Sequence, residues 1–322
     1  MGAREVRYGD LIKDTFRITL RNRYLWFFGF FAGASIPSGG GGGFNQENFE
    51  QSGGGASSMV AQVGPGDLGG AAFVVGLVVV AVLVALLFIV MSLISQGGLS
   101  ESVAAVDGGQ GRGFGSTFRS GLGNFWRVLG YYVVFFLIGL GLLVAIGIPI
   151  ALLIGGTFAV TQSVGVRIAV AVLVGLLGVA ALIAVFIPLS VIGQYALREI
   201  VVRGERVFGS VRAGYGVFRR NIGRSLLLWL IHLGLMIAIG IAMIIALLLI
   251  GLILFIPTIV LGISDYTTAA VITGVIAGLI LLPIFLIASG AAGTFGHAFW
   301  TLAYLRLTAP DAFPTPNIQD PV

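Results

Sequence analysis

The chain repeats a short charged segment that leads into an aromatic and apolar run. Residues 15–22 read TFRITLRN, and residues 117–124 read TFRSGLGN, so that Thr, Phe, Arg, Leu and Asn recur at the same places. Residues 215–221 read YGVFRRN, a weaker third copy that again precedes a long apolar run. Each copy is typical of a lead-in segment, a helix on the membrane surface that turns down into the bilayer. The pattern predicts three units in one membrane domain.

The composition indicates an integral membrane protein. Of the 322 residues, 57% are hydrophobic and 10% are charged, whereas an ordinary soluble domain carries about 25% charge. The chain has no cysteine, which excludes disulfides, thiolate metal sites and thiol nucleophiles. The first 23 residues lack the apolar core of a cleavable signal peptide, so we expect the N-terminus to persist in the mature protein.

Apolar stretches mark the predicted spans. The first, residues 24–36, is short against the roughly 20 residues that a helical span needs. The other five are residues 71–94, 128–153, 168–192, 225–264 and 266–305. The last two are longer than the bilayer core is thick, so each must tilt, kink or project beyond the lipid, and any break is expected at Pro257 and at Pro283.

The basic residues predict the topology. If the N-terminus, residues 97–127, residues 193–224 and the C-terminus share one side, that side holds 17 of the 18 Lys and Arg residues and leaves only Arg167 opposite. The positive-inside rule makes the basic side cytoplasmic. Residues 24–36 must then cross, because an even number of crossings separates two basic segments. We expect six transmembrane helices in a prokaryotic cytoplasmic membrane, with both termini in the cytoplasm.

The fold class that follows is an all-α integral membrane protein of three repeated hairpins, each preceded by a cytoplasmic amphipathic helix. The units run about 8–107, 114–206 and 208–306 within a single membrane domain, residues 1–309. Each unit has an asparagine before its outgoing span, and each return span is predicted to end on a polar turn, at Gln96, Gln194 or His297. A glycine-rich loop, residues 37–70, is predicted to be flexible and extracytoplasmic, and residues 310–322 form a disordered cytoplasmic tail.

Two lead-in segments have a clear apolar face at helical spacing. One comprises Tyr8, Leu11, Ile12, Phe16 and Leu20, and the other comprises Phe208, Val211, Tyr215, Phe218 and Ile222. Such a helix either lies on an anionic leaflet or is solvated and packs on its own protein, and both interpretations stay open. The basic segments lie beside the predicted spans, which favours anionic phospholipid headgroups over nucleic acid as their partner. The candidate headgroup contacts are Arg17, Arg21, Arg119, Arg203, Arg206, Arg212, Arg219 and Arg220.

Few residues could carry chemistry inside the bilayer. Spans two to six contain no Asp, Glu or Lys, and His232 and His297 are the only histidines. Two histidines without a carboxylate make a poor metal site, so we predict no metal and no cofactor. Gln96 and Gln194 either bond across helices at the repeat junctions or line a substrate path with His297. No Gly-x-Ser-x-Gly elbow is present, and we predict that the protein is not an enzyme.

Small residues predict where helices touch. Gly274 with Gly278, Ala171 with Gly175, and Gly234 with Ala238 each form a small-xxx-small pair.

The order of elements resembles a group of poorly characterised prokaryotic multi-pass proteins. These include the membrane domain fused to some glycerophosphodiester phosphodiesterases. The residues that carry the likeness are Thr15–Trp26, Thr117–Trp126 and the turns at Gln96 and Gln194. The catalytic domain of those phosphodiesterases has no counterpart in the chain. The resemblance therefore implies a membrane module and no catalytic residues.

Three functional hypotheses remain. The first is a non-enzymatic module that organises the membrane or acts as a scaffold for a second copy or another membrane protein. The second is a transporter or channel for a small or lipid-like solute, with Gln96, Gln194 and His297 at the cytoplasmic end of its path. The third, an enzyme acting on lipid, would require His232 or His297.

Overall fold

The computed structural model describes residues 8–33 and 68–308, and this part of the chain is helical without a strand. The all-α prediction is confirmed for it. The predictions for the tail, residues 310–322, and for nearly all of the glycine-rich loop fall outside the described residues. The described helices are α1 (Tyr8–Arg21), α2 (Leu25–Gly33), α3 (Leu68–Asp107), α4 (Phe114–Val160), α5 (Val164–Arg203), α6 (Val207–Arg220), α7 (Ile222–Ile263) and α8 (Thr267–Thr308).

Five of the described helices are long and apolar enough to cross a membrane: α3, α4, α5, α7 and α8. Between 0% and 11% of the residues in the most apolar stretch of each are buried. An exposed apolar surface of this extent suits lipid rather than water, as expected of a membrane protein. The first predicted span is represented by α2, which has 9 residues, and the rest of that span lies outside the described residues.

The long helices run farther than the predicted spans. α3 continues through Gln96 to Asp107, and α5 continues through Gln194 to Arg203, so the predicted polar turns are helical. His297 likewise lies inside α8. A polar side chain does not end a helix as long as the backbone N–H and C=O groups around it keep their helical hydrogen bonds. What ends α5 is Gly204, whose φ of 72° and N–H bond to the Ile200 carbonyl form a left-handed C-cap.

The second lead-in segment is not a separate helix. α4 begins at Phe114 and runs for 47 residues, so the segment around Thr117 and the predicted third span form one element. The first and third lead-in segments do form helices of their own, α1 and α6, each 14 residues long.

Neither Pro257 nor Pro283 ends a helix, so the predicted break is absent at both, while a kink there stays a prediction. Both prolines lie inside continuous helices, as do Pro149 and Pro188. Proline is tolerated inside apolar helices, because local adjustment and neighbouring groups satisfy the backbone carbonyl that it frees.

The described residues form two compact units. One comprises residues 124–230 and 303–308, and the other comprises residues 8–33, 68–123 and 231–302. In both, the buried side chains gather at the ends of the long helices rather than along their apolar stretches. They fall mostly within residues 92–103, 191–201 and 293–304. The candidate polar residues predicted from the sequence lie at these buried ends.

Candidate functional site

Glycines bring α2 and α8 into backbone contact. A Cβ added to Gly293 would overlap the carbonyl oxygen of Gly29, and one added to Gly290 would overlap that of Trp26. Thr294 locks this contact, since its Oγ1 lies 2.9 Å from the Leu25 carbonyl oxygen and 2.8 Å from that of Gly290. These contacts position the buried end of α8, which carries His297.

The two histidines lie against helices rather than in an open site. Nε2 of His297 is 3.4 Å from the carbonyl oxygen of Ala32 on α2. His232 is 1% exposed, and its ring stacks on Phe299 with 5.2 Å between ring centroids and meets Trp300 edge-on at 5.4 Å. Within the described ranges, no group of three or more His, Asp or Glu side chains could hold a metal ion. The absence of a metal remains a prediction.

Gln96 lies in a row of buried polar side chains on α3. It is 1% exposed, and its Nε2 lies 3.5 Å from Oγ of Ser92 within the same helix. A contact between α3 and α4 is made by Ser102 and Thr117, whose hydroxyl oxygens are 2.7 Å apart. The backbones also touch, since a Cβ on Gly121 would overlap the carbonyl oxygen of Ile94 and one on Gly98 that of Thr117.

Gln194 holds a buried arginine that the sequence reasoning placed in a cytoplasmic connection. Arg198 is 0% exposed, and its Nη1 donates to the Gln194 backbone carbonyl at 2.9 Å and to Oε1 of the same residue. Two tyrosines bond next to Gln194. The Tyr131 hydroxyl donates to the Gly193 carbonyl at 2.9 Å, and the Tyr195 hydroxyl donates to Oγ of Ser225 at 3.1 Å. The available signal was the helical spacing of four between Gln194 and Arg198.

Two glutamates occupy equivalent places at these helix ends and were also missed. Glu101 and Glu199 each lie five residues after the glutamines at 96 and 194. Glu101 pairs with Arg112 at 3.0 Å and accepts a bond from the Ser120 hydroxyl, while Glu199, 2% exposed, pairs with Arg203 at 3.3 Å. The shared offset of 98 residues could have identified the pair.

The buried faces of α1 and α6 overlap only in part with the apolar faces seen in the sequence, sharing Leu11 and Phe218. α1 buries Leu11, Thr15, Ile18 and Thr19, and α6 buries Ser210, Gly214, Val217 and Phe218, with identical spacing along both helices. Much of the predicted apolar face stays outside. Phe16 and Leu20 are 41% and 59% exposed, and Phe208 and Tyr215 are 79% and 50% exposed. The buried face of each helix thus combines two small or polar side chains, which let the backbones approach closely, with two larger apolar ones.

The candidate headgroup contacts are available to a ligand. All eight predicted arginines are exposed: Arg17, Arg21, Arg119, Arg203, Arg206, Arg212, Arg219 and Arg220. Arg17 pairs loosely with Asp14 at 3.6 Å, and Nε of Arg220 donates to the Gly216 carbonyl at 3.3 Å. Both bonds lie within one helix and leave the arginines accessible.

The predicted small-residue pairs contribute little to helix contacts. Gly274 does face α7, because a Cβ there would lie 3.3 Å from Cγ2 of Thr258. A Cβ on Gly175, Gly234 or Gly278 would meet nothing within 4 Å. The close contacts come instead from the glycines on α2, α8, α3 and α4 described above.

Comparison with known proteins gives one match. Residues 25–311 match DUF7544, a family of unknown function, over most of the chain. No curated protein and no solved structure matches the chain. The family description names no activity, so the resemblance to the phosphodiesterase membrane domain stays a prediction.

Proposed function

The chain belongs to the DUF7544 family, and we propose that it serves as a non-enzymatic six-span module of a prokaryotic cytoplasmic membrane. In this role it gathers anionic phospholipid at its cytoplasmic face and acts as a scaffold for a second copy or another membrane protein. Both termini lie in the cytoplasm.

The observation that carries the proposal is the orientation of α6. Its small-residue face, with Ser210 and Gly214, is buried against the protein, whereas Phe208 and Tyr215 remain exposed beside arginines at positions 212, 219 and 220. An aromatic surface flanked by guanidinium groups is the composition that binds the headgroup region of an anionic leaflet.

Matching contacts support the proposal of three repeated hairpins. The end of α3 lies against the start of α4 at Ile94 and Gly121, and the end of α5 lies against α6 at Ile192 and Gly214. A Cβ on Gly214 would be 3.0 Å from the Ile192 carbonyl oxygen. The asparagines behave alike too, since Nδ2 of Asn22 and of Asn221 each donates to the carbonyl four residues earlier, at 3.0 and 3.2 Å.

Retention of anionic lipid tests this function. We would purify the wild type and the R212Q/R219Q/R220Q variant from membranes containing phosphatidylglycerol and count bound lipids by native mass spectrometry. We expect the wild type to retain phosphatidylglycerol over phosphatidylcholine, and the triple variant to lose that preference, because each basic residue near the surface contributes about 1 kcal/mol.

The matched control is R167Q, which removes a guanidinium on the predicted opposite side. It should keep the wild-type preference. Equal retention of the two lipids by the wild type, or equal loss in the triple variant and in R167Q, would contradict the proposal.

A transporter is the second candidate, and the buried polar row on α3 favours it. Ser92, Ser95, Gln96 and Ser100 are at most 5% exposed and follow the apolar stretch of that helix. The cleft at α1 described below does not include Gln96, Gln194 or His297 in its lining, which is why we place this role second. Solute flux into proteoliposomes that persists unchanged in a Q96L/Q194L variant would remove the proposed path.

A further inference from the structure

A cleft of about 390 Å³ lies between the second half of α1 and the loop that joins α3 to α4. Its charged lining comes from both sides and contains three guanidinium groups and two carboxylates, and one of the three, that of Arg112, is already paired with Glu101 at 3.0 Å. The groups are those of Arg17, Arg21, Arg112, Asp14 and Asp107. The guanidinium groups left to meet an anion are therefore those of Arg17 and Arg21, which lie on the α1 side of the cleft.

Arg21 is the guanidinium most open to a ligand. In the part of the chain that the structure describes, no carboxylate pairs with it, and its side chain is exposed. Arg17 sits one turn earlier on the same face of α1. Its 3.6 Å pairing with Asp14 is between side chains that are 61% and 31% exposed, so solvent screens it and an incoming anion can compete for it.

The loop wall of the cleft offers backbone donors. Residues 108–113 read GGQGRG and lead directly into the N-terminus of α4 at Phe114. Gly109 has a φ of 78°, a left-handed conformation that favours glycine in a turn. Gly111 has open space around its Cα, since a Cβ there would meet nothing within 4 Å. Among the described residues, no hydrogen-bond partner is found for the N–H groups of Gly111 and Arg112. A glycine-rich loop before a helix N-terminus suits a bound phosphate.

We propose that this cleft binds a phosphate group, carried either by a phospholipid headgroup or by a soluble phosphate ester. The guanidinium groups of Arg17 and Arg21 face it from α1, and the N–H groups of Gly111 and Arg112 donate from the loop. The oxygens of a tetrahedral phosphate point in several directions and can accept bonds from both walls of the cleft. The two oxygens of a carboxylate lie in one plane and suit a single bidentate guanidinium. The inference goes beyond the proposed function and does not require the arginines of α6.

The test uses the full chain in phosphatidylcholine nanodiscs. In one arm, inorganic phosphate is titrated while hydrogen exchange is followed at residues 108–113. In the other arm, the nanodiscs contain phosphatidic acid, whose headgroup is a phosphate monoester. We expect exchange at Gly111 and Arg112 to slow in at least one arm. R21Q should weaken binding by about tenfold, the effect of one charge-assisted hydrogen bond.

The matched control is R23Q, because Arg23 is exposed two residues away but does not line the cleft. It should bind as the wild type does. Protection by phosphatidic acid alone would assign the site to a lipid headgroup, and protection by inorganic phosphate would assign it to a soluble ligand. Unchanged exchange in both arms, or equal weakening by R21Q and R23Q, would overturn the proposal. Neither result would alter the lipid preference tested at α6.

Discussion

Glycines set the closest approach between helices in this protein. At the contact of α2 with α8, the backbone of Gly293 lies against that of Gly29, and no side chain could be inserted there without moving a helix. Inside lipid, apolar packing brings little hydrophobic gain, because the lipid tails are as apolar as the side chains. Close backbone contact and bonds such as those of Thr294 hold the helices together instead.

Replacing Gly293 by Ala should therefore destabilise the protein. The added methyl group overlaps the Gly29 carbonyl, and overpacking of this kind costs about 1–3 kcal/mol. The midpoint of thermal unfolding in detergent should fall by several degrees. Gly278→Ala is the matched control, since its methyl group enters open space and alanine favours the helix. Unfolding midpoints lowered equally in both variants would show that the contact is not as close as described.

Arg198 is the residue whose position departs most from its type. Its charged side chain is buried near the C-terminal end of α5, where the backbone carbonyl oxygen and the side-chain amide oxygen of Gln194 both accept hydrogen bonds from its guanidinium group.

Arg198→Ala should lower stability by about 2–4 kcal/mol, since it leaves a cavity and two acceptors without their donor. The stability of Arg198→Lys should lie between those of the wild type and Arg198→Ala, because lysine keeps the charge but lacks the planar guanidinium group. Arg206→Ala removes an exposed arginine from the same region and should have little effect. Denaturation in detergent measures all three, and a loss in R206A as large as in R198A would refute the argument.

At the scale of elements, α1 and α6 are built alike. Each buries two small or polar side chains together with two apolar ones, at the same spacing, and leaves other apolar side chains exposed, at Phe16 and Leu20 in α1 and at Phe208 and Tyr215 in α6. Helical spacing predicted both helices. It did not predict which face is buried, because a surface helix beside lipid has two apolar environments to choose between and hydrophobicity alone does not separate them.

Spin labels can determine what the exposed face of α6 meets. The chain has no cysteine, so Phe208→Cys and Tyr215→Cys can be labelled singly in liposomes. If the face lies in the headgroup region, both labels should be more accessible to oxygen than to a water-soluble nickel chelate. Glu205→Cys, exposed just before the helix, should show the reverse. Labels at 208 and 215 that respond like the one at 205 would mean that water covers the face.

Helix length was the other feature that sequence could not supply. Gln96 and Gln194 looked like turn residues because they follow apolar runs, but each is buried within a helix that continues for several more turns. Hydropathy marks where a chain leaves lipid, and it does not mark where the chain stops being helical. For the same reason the sequence suggested a connecting segment at Arg198 and Glu199, although both are buried within α5.

At the scale of the whole molecule, the distribution of charge is the strongest guide to function. The basic residues lie beside the lead-in segments, and the long helices expose apolar surface that lipid can cover. The membrane class could be predicted from composition alone. The phosphate cleft could not, because Arg21 and the loop at residues 109–112 are far apart in the chain and only folding brings them together.

Cysteine labelling with a membrane-impermeant maleimide tests the topology. In cells, Asn45→Cys and Gln162→Cys should react from outside, whereas Gly9→Cys and Gln110→Cys should react only after permeabilisation, as six crossings require. Residue 45 lies in the predicted extracytoplasmic loop, outside the described residues. Reaction of positions 9 and 45 from the same side would remove the first crossing and leave five.

The continuity of α5 has a mechanical consequence. The helix spans Val164–Arg203, about 60 Å at 1.5 Å per residue, with its apolar stretch at one end and its buried cluster at the other. No loop separates the two, although Pro188 and Gly193 lie between them inside the helix. When the bilayer thins or thickens and the apolar stretch tilts, we expect the unbroken backbone to carry that motion to Arg198 and its neighbours. A change in lipid thickness should then shift a charged group sideways, by an amount that bending at Pro188 would reduce.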